Sequence, residues 1–262
     1  MHMITSTANS QVKQVSALAK KAKLRKETGL FLVEGPKMFE EAPKDWIHKV
    51  YVSEGFLNGH EALVKDCRYE TVADEVMKAM ADTQTPQGIL ALVKQPSWKA
   101  GDVLGREKGK PALVVVLETL QDPGNLGTII RAGEGAGITG VVMNRDTADI
   151  FSPKVIRSTM GAIYRVPFVY TEDLKEMITD MKDRGICFYA AHLKGKNDYD
   201  QESYIGNAAF MIGNEARGLS DETAALADCY VKIPMEGKVE SLNAAVAASV
   251  LMFEAARQRR RG

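Results

Sequence analysis

Residues 113–127 read LVVVLETLQDPGNLG. Leu113 to Leu117 are apolar throughout, which fits a strand covered on both faces of a parallel sheet. A polar insertion follows, and then Leu126, Ile129 and Ile130 recur at helical spacing. Strand, polar loop and helix in that order make one β–α unit. In open parallel sheets ligands gather at the carboxyl ends of the strands, so this loop is a candidate site. Asp122, Pro123 and Gly124 read as a turn, and Asn125 as a helix cap or a group aimed at a ligand. Arg131 lies one to two turns into the helix. Its planar fork suits a phosphate, and a surface ion pair is the alternative.

Downstream the same unit recurs. Strands are expected at Gly140–Met143, Val166–Tyr170, Ile186–Ala191, Ala208–Ile212 and Tyr230–Ile233, and helices at Pro153–Met160, Leu174–Arg184, Asp221–Ala227 and Leu242–Ala256. Repeated β–α units with apolar strands imply a parallel sheet with helices on both faces. Two more polar loops stand out. Ile212-Gly213-Asn214-Glu215-Ala216-Arg217-Gly218-Leu219-Ser220 directly follows a strand, and its glycines free the backbone for close approach. Ile233-Pro234-Met235 leads to Ser241-Leu242-Asn243, where Ser241 is the expected N-cap of the last helix and Asn243 falls in its first turn. Gly135, Gly137 and Gly140 match GxGxxG, but here the run closes a helix and opens a strand. A dinucleotide site needs the reverse order, so the glycines read as a C-cap and a tight turn.

Upstream, Val12, Val15, Leu18 and Ala22 mark a helix over Asn9–Lys23 with Asn9 or Ser10 as cap. Short strands and helices then alternate to a clear strand at Gly88–Val93. From Lys94 to Pro111 prolines, glycines and charges break the pattern. The expected organisation is a small N-terminal α/β domain over 1–94, a linker over 95–110 and a larger parallel-sheet α/β domain over 111–262.

Composition narrows the class. The chain has 262 residues, 45% hydrophobic and 26% charged, as in ordinary globular proteins. No apolar run is long enough to span a bilayer and no signal-peptide core is present, so no membrane partner and a cytoplasmic location are expected. Met1-His2-Met3 reads as a cloning remnant with Met3 as the natural start. Cys67, Cys187 and Cys229 are far apart, and His2, His48, His60 and His192 show no ligand spacing, so buried reduced thiols and no metal are expected. Net charge is zero, yet Lys13, Lys20, Lys21, Lys23, Arg25 and Lys26 precede any acidic residue. Arg257, Arg259, Arg260 and Arg261 close the chain. Such arms hold phosphate backbones, or are simply solvated helix faces.

Taken together, the three loops resemble the signature motifs of the SpoU, or TrmH-like, branch of the SPOUT RNA methyltransferases. LETLQDPGNLGTIIRAGEGAG, IGNEARGLS and IPMEGKVESLNAAVAASVLMFEA come in family order with family-like spacing. FLVEGPKMFEEA and TPQGILALV resemble the substrate-binding domain often attached to that family. The resemblance implies a deep trefoil knot in the C-terminal domain and S-adenosylmethionine bent within the knot loops. Those loops map to Ala191, Gly213, Asn214, Ile233, Met235, Ser241 and Leu242. It further implies a homodimer in which the first motif of one subunit faces the cofactor of the other. The reaction the resemblance implies is 2′-O-ribose methylation of structured RNA, with ribosomal RNA favoured by the extra domain. Arg131, Asn125, Glu215, Ser241 and Asn243 are the residues assigned to the reaction. The expected roles follow from the resemblance: a protonated Arg131 to bind the phosphate beside the acceptor ribose, with that phosphate helping to take the proton. Asn125 orients the ribose, and Glu215, Ser241 and Asn243 hold the site together. The competing readings are a non-catalytic RNA-binding or ribosome-assembly protein on this fold, and a methyltransferase acting on transfer RNA or on a base.

Overall fold

The computed structural model describes residues 3–105 and 109–261. Met1, His2 and Gly262, and residues 106–108 of the expected linker, lie outside the described residues. In chain order the first stretch forms α1 (Ser10–Lys20), α2 (Ala22–Thr28), β1 (Leu30–Glu34), α3 (Pro36–Glu40), β2 (Ile47–Ser53), α4 (Glu54–Val64), β3 (Tyr69–Val72), α5 (Asp74–Met80) and β4 (Ile89–Lys94). The remainder forms α6 (Ala100–Val103), β5 (Leu113–Leu117), α7 (Pro123–Ala136), β6 (Gly140–Asn144), α8 (Pro153–Thr159), β7 (Phe168–Thr171), α9 (Leu174–Asp183), β8 (Cys187–Ala191), β9 (Asn197–Asp198), β10 (Ala208–Ile212), α10 (Asp221–Ala224), β11 (Cys229–Lys232) and α11 (Ala244–Arg259).

Contacts divide the chain into two compact units, Met1–Pro96 with Asp149–Tyr164, and Ser97–Ala148 with Arg165–Gly262. Among the described residues the first unit holds a four-stranded sheet in the order β1-β4-β2-β3. The segment 149–164, read from sequence as one more β–α repeat of the larger domain, groups with this first unit. Its anchors explain why. The Phe31 ring lies 5.2 Å from that of Phe151, and the Tyr164 hydroxyl donates to the Met38 carbonyl at 3.0 Å. Arg25 is only 5% exposed and its guanidinium meets Asp149 Oδ2 at 2.6 Å while also donating to the Leu18 and Ala19 carbonyls. Arg25 is therefore a structural strut rather than part of a free basic arm. Lys13, Lys20, Lys21, Lys23 and Lys26 are exposed.

The second unit holds seven parallel strands among the described residues, ordered β7-β6-β5-β10-β8-β11-β9. β5 and β10 sit side by side near the centre and every residue of both is buried. That is the pattern expected of strands covered on both faces. The two-residue β9 is too short to carry an apolar period and is not legible in sequence. Part of the expected linker is core: Val103 and Leu104, at 1% and 3% exposure, pack in an apolar cluster of this unit with Val114, Val116 and Met211. Gly137 ends α7 with φ +80° as a left-handed C-cap, as expected from its place between a helix and a strand.

At the chain's end Arg259 is half-buried and donates to four carbonyls, those of Tyr204, Gly206, Pro111 and Ala112. Arg257 is paired with Glu254 at 2.6 Å. Arg259 thus latches α11 to the rest of the unit, and Arg257 is engaged within the helix. The three cysteines are free and half-buried rather than fully buried. Among the described residues no helix is long and apolar enough to cross a membrane, and no group of three His, Cys, Asp or Glu could hold a metal ion.

Removing Asp149 strands the buried Arg25 charge, and breaking such a pair from one side costs about 3 kcal/mol or more. Asp149→Ala should lower the denaturant midpoint accordingly, and an unchanged midpoint would refute the strut.

Candidate active site

The carboxyl ends of β5 and β10 are adjacent, with the Glu118 amide donating to the Ile212 carbonyl at 2.9 Å. From β5 the chain passes to β6 and β7 on one side of the sheet, and β8 and β11 lie on the other side of β10. Strand order therefore reverses here, and such a switch point opens a crevice for ligands.

Asp122 caps α7 through its Oδ1, which accepts from the Asn125 amide at 2.9 Å, with Pro123 in the first turn. This leaves the Asn125 side chain free for other bonds. Its Nδ2 donates to Glu215 Oε1 at 3.0 Å, and its Oδ1 accepts from Asn243 Nδ2 at 2.9 Å. Asn243, not Ser241, caps α11: its Oδ1 accepts from the Ala245 and Val246 amides at 2.9 and 3.3 Å. The helix therefore starts two residues later than the sequence suggests. Helix amides fix Asn243 Oδ1 as acceptor, so Nδ2 must donate to Asn125, and Asn125 must in turn donate to Glu215.

The Glu215 carboxylate also accepts from the Gln121 and Asp122 amides at 3.0 and 2.8 Å. All three of its partners are donors, which favours the ionised acceptor. Burial works to raise its pKa. The bonds from Gln121, Asp122 and Asn125 outweigh that and hold it below the ordinary value.

The second loop folds back on itself. Asn214 and Gly218 exchange backbone hydrogen bonds at 3.0 and 2.9 Å. A Cβ on Gly213 would sit 2.0 Å from the Gly218 carbonyl carbon and 2.1 Å from the Leu219 nitrogen, so only glycine fits. Glu118 closes the loop by accepting from the Ser220 amide and hydroxyl, both at 2.7 Å.

Beside this network lies a cavity of about 520 Å³, within the usual range for small-ligand sites. Ala191, Gly213, Asn214, Ile233, Met235, Ser241 and Leu242 all line it, together with Glu215. These are the residues that the family resemblance assigned to the cofactor loops. Sequence reasoning did not single out His192, Lys194, Asp221 and Glu240, which also line it. Their one signal was position: His192 and Lys194 directly follow a strand end.

The five residues assigned to the reaction divide. Asn125, Glu215 and Asn243 are bonded together, and Ser241 is on the cavity wall. Arg131 is exposed, outside the cavity lining, and makes no hydrogen bond or ion pair among the described residues. It follows Asn125 by six residues in α7. That is about 9 Å along the axis and about 120° around it, so the two side chains leave different faces.

The SpoU rRNA methylase family model matches residues 112–253, more than half of the chain. The chain belongs to the SpoU rRNA methylase family. Residues 9–91 match the MRM3-like substrate binding domain. This SpoU-family chain is 32% identical over 264 aligned residues to the 23S rRNA (guanosine(2553)-2′-O)-methyltransferase RlmP of Bacillus subtilis, covering 97% of this chain and 98% of that protein. The SpoU methyltransferase AviRb from Streptomyces viridochromogenes, solved with the cofactor AdoMet, superposes with a TM-score of 0.86 at 27% identity, covering 97% of this chain and 99% of that one. An AdoMet-bound rRNA methyltransferase from Sinorhizobium meliloti gives 0.84 at 30% identity, covering 98% and 97%.

The lining fits S-adenosylmethionine chemically. Apolar Ile233, Met235, Leu242 and Leu219 offer a surface for the adenine, while Lys194, Arg217, Asp221 and Glu240 offer both signs of charge for an amino-acid tail.

Two outcomes test this geometry. Gly213→Ala must push apart two backbone segments, so S-adenosylmethionine affinity should fall more than about tenfold by calorimetry. Unchanged affinity would contradict the loop's role. Glu215→Gln should destabilise the fold near pH 7. A depressed folded-state pKa contributes stability above the unfolded value of about 4.3 and loses it as pH falls through the folded value. The gap between wild type and variant in urea midpoint should therefore close toward pH 3, and a constant gap would count against the ionised anchor.

Proposed function

We propose that this protein transfers a methyl group from S-adenosylmethionine to a ribose 2′-hydroxyl of ribosomal RNA in the cytoplasm. The observation that carries the reading is the convergence of the loops after β8, β10 and β11 on one cavity beside the Asn243–Asn125–Glu215 chain, which ties in the loop after β5. When bound, the cofactor supplies a methyl group already activated on a sulfonium. The chain's own work is then binding and alignment. Gly213, Asn214, Ile233, Met235, Ser241 and Leu242, with Ala191, form the walls that hold the cofactor. Asn125, fixed by Asn243 and Glu215, keeps one Nδ2 hydrogen with which to orient the acceptor ribose. A ribose hydroxyl must shed its proton as it attacks. Arg131 is a permanent cation. It binds the adjacent phosphate, which helps take the proton.

We assign the RNA-recognising role to the first unit, with Lys13, Lys20, Lys21, Lys23 and Lys26 as phosphate contacts. The active form is a homodimer. Val246 and Phe253 support this: seven residues apart on α11, they share a face and are each 47% exposed. The isolated position of Arg131 supports a role in the partner's cavity rather than its own. In the second unit the chain end is threaded as a trefoil knot, a reading supported by the family fold and by Gly195, whose Cβ would lie 2.8 Å from backbone atoms of Val231 and Lys232. A non-catalytic RNA binder would have no need of the cofactor cavity.

The direct test incubates the protein with ribosomal RNA and labelled S-adenosylmethionine, then analyses nucleosides. A 2′-O-methyl nucleoside is expected; a base-methylated product, or none, would overturn the assignment. Arg131→Ala should cut methylation by roughly 10²–10³-fold while cofactor affinity holds, as for loss of one transition-state group. Mixing inactive Arg131→Ala and Gly213→Ala chains should restore activity in mixed dimers. No rescue despite verified subunit exchange would exclude a shared site.

A further inference from the structure

Thr119, the second residue past β5, has φ +55°. Left-handed backbone is unusual for any side-chain-bearing residue and most costly for a β-branched one. Such a conformation persists only where neighbours hold it.

The neighbour here is Asn144, at the end of β6. Its Oδ1 accepts from the Thr119 amide at 2.8 Å, and its Nδ2 donates to the Thr119 hydroxyl at 2.8 Å. Asn144 is itself fixed, because its Oδ1 also accepts from the buried Thr147 hydroxyl at 2.8 Å. The grip on Thr119 is therefore two-pronged and comes from an adjacent strand of the same sheet.

The twist has a consequence on the other side of the residue. The Thr119 carbonyl accepts from Asn214 Nδ2 at 2.9 Å. Asn214 has no freedom to invert its amide, because its Oδ1 already accepts from the Ala216 and Arg217 amides at 3.0 and 3.2 Å. Its Nδ2 needs an acceptor on the β5 side, and the left-handed Thr119 peptide supplies one. Asn214 in turn lines the cavity. The line of bonds runs Thr147, Asn144, Thr119, Asn214, across the ends of β6, β5 and β10.

We propose that Thr119 and Asn144 are positioning residues for the cofactor loop: Asn144 holds Thr119 left-handed, and Thr119 thereby aims its carbonyl at Asn214. Neither residue lines the cavity. This inference rests on the reading of the cavity as an S-adenosylmethionine site.

A binding cycle tests it by calorimetry with S-adenosylmethionine on the full-length protein. If wild type does not bind, the cofactor reading itself fails. If it binds, Asn144→Ala should weaken binding by about tenfold, because an unheld Thr119 relaxes and its carbonyl leaves Asn214. Glycine takes positive φ without help. In a Thr119→Gly background the further loss on adding Asn144→Ala should therefore shrink to about twofold or less. Asn144→Asp should bind more tightly than Asn144→Ala, since a carboxylate still accepts from the amide and the Thr119 hydroxyl can rotate to donate. Equal losses from Asn144→Ala in both backgrounds, or an unchanged affinity with only a lower melting temperature, would overturn the proposal. If Asn144→Ala does not fold, Asn144→Ser, whose short side chain cannot make both bonds to Thr119, takes its place in the same cycle. Its loss of affinity should likewise shrink in the Thr119→Gly background, and an equal loss in both backgrounds, or none in either, refutes the mechanism.

Discussion

One carboxylate binds the three loops into a site. Glu215, on the loop after β10, takes hydrogen bonds from two amides of the loop after β5 and from Asn125, and Asn125 is held by the cap residue of α11. Each loop leaves a different part of the sequence, and no apolar packing could fix their polar tips at the mouth of a crevice. A charged acceptor facing donors can, because charge-assisted bonds are short and directional. Its orientation propagates. The amides of α11 set Asn243, Asn243 sets Asn125, and Asn125 meets an acceptor that cannot donate back.

The sheet makes this arrangement possible. β5 and β10 are parallel, adjacent and fully buried, so their carboxyl ends deliver two loops to one edge of the core at a fixed register. The close fold-back of the 213–218 loop depends on Gly213, where any side chain would collide with backbone. The C-terminal helix must arrive accurately, and Arg259 secures its far end on four carbonyls of the β5 and β10 approaches. Rigid strands, a glycine turn and a latched helix together reduce the freedom of the loops before any ligand is present. That is the preorganisation on which binding and alignment depend.

Much of this was legible in the sequence because its signals are local. Five apolar residues followed by DPGN announce a buried strand and a helix start. Every residue expected in the cofactor loops, Ala191 and those of the second and third motifs, lines one cavity. What escaped was set by tertiary partners. Arg25 looked like a phosphate-binding cation until Asp149, 124 positions away, was found beside it. Ser241 was the better local cap, yet Asn243 takes that place, its Oδ1 capping the helix while its Nδ2 has a distant partner in Asn125. Thr119 gave no sign of its left-handed backbone, since a threonine there has no local reason to adopt it. The 149–164 segment obeys the same periodicity as its neighbours, and its tertiary contacts, Phe151 with Phe31, Asp149 with Arg25 and Tyr164 with Met38, group it with the first unit.

The central claim is that the cavity formed by the loops after β8, β10 and β11 holds S-adenosylmethionine. Amide hydrogen exchange, measured with and without saturating S-adenosylmethionine, addresses it most directly, because protection reports where backbone opening is suppressed. Added protection is expected at 213–219, 231–235 and 242–247, with the four-stranded sheet of the first unit unchanged. Protection confined to the first unit, or no change in those three segments despite binding, would contradict it.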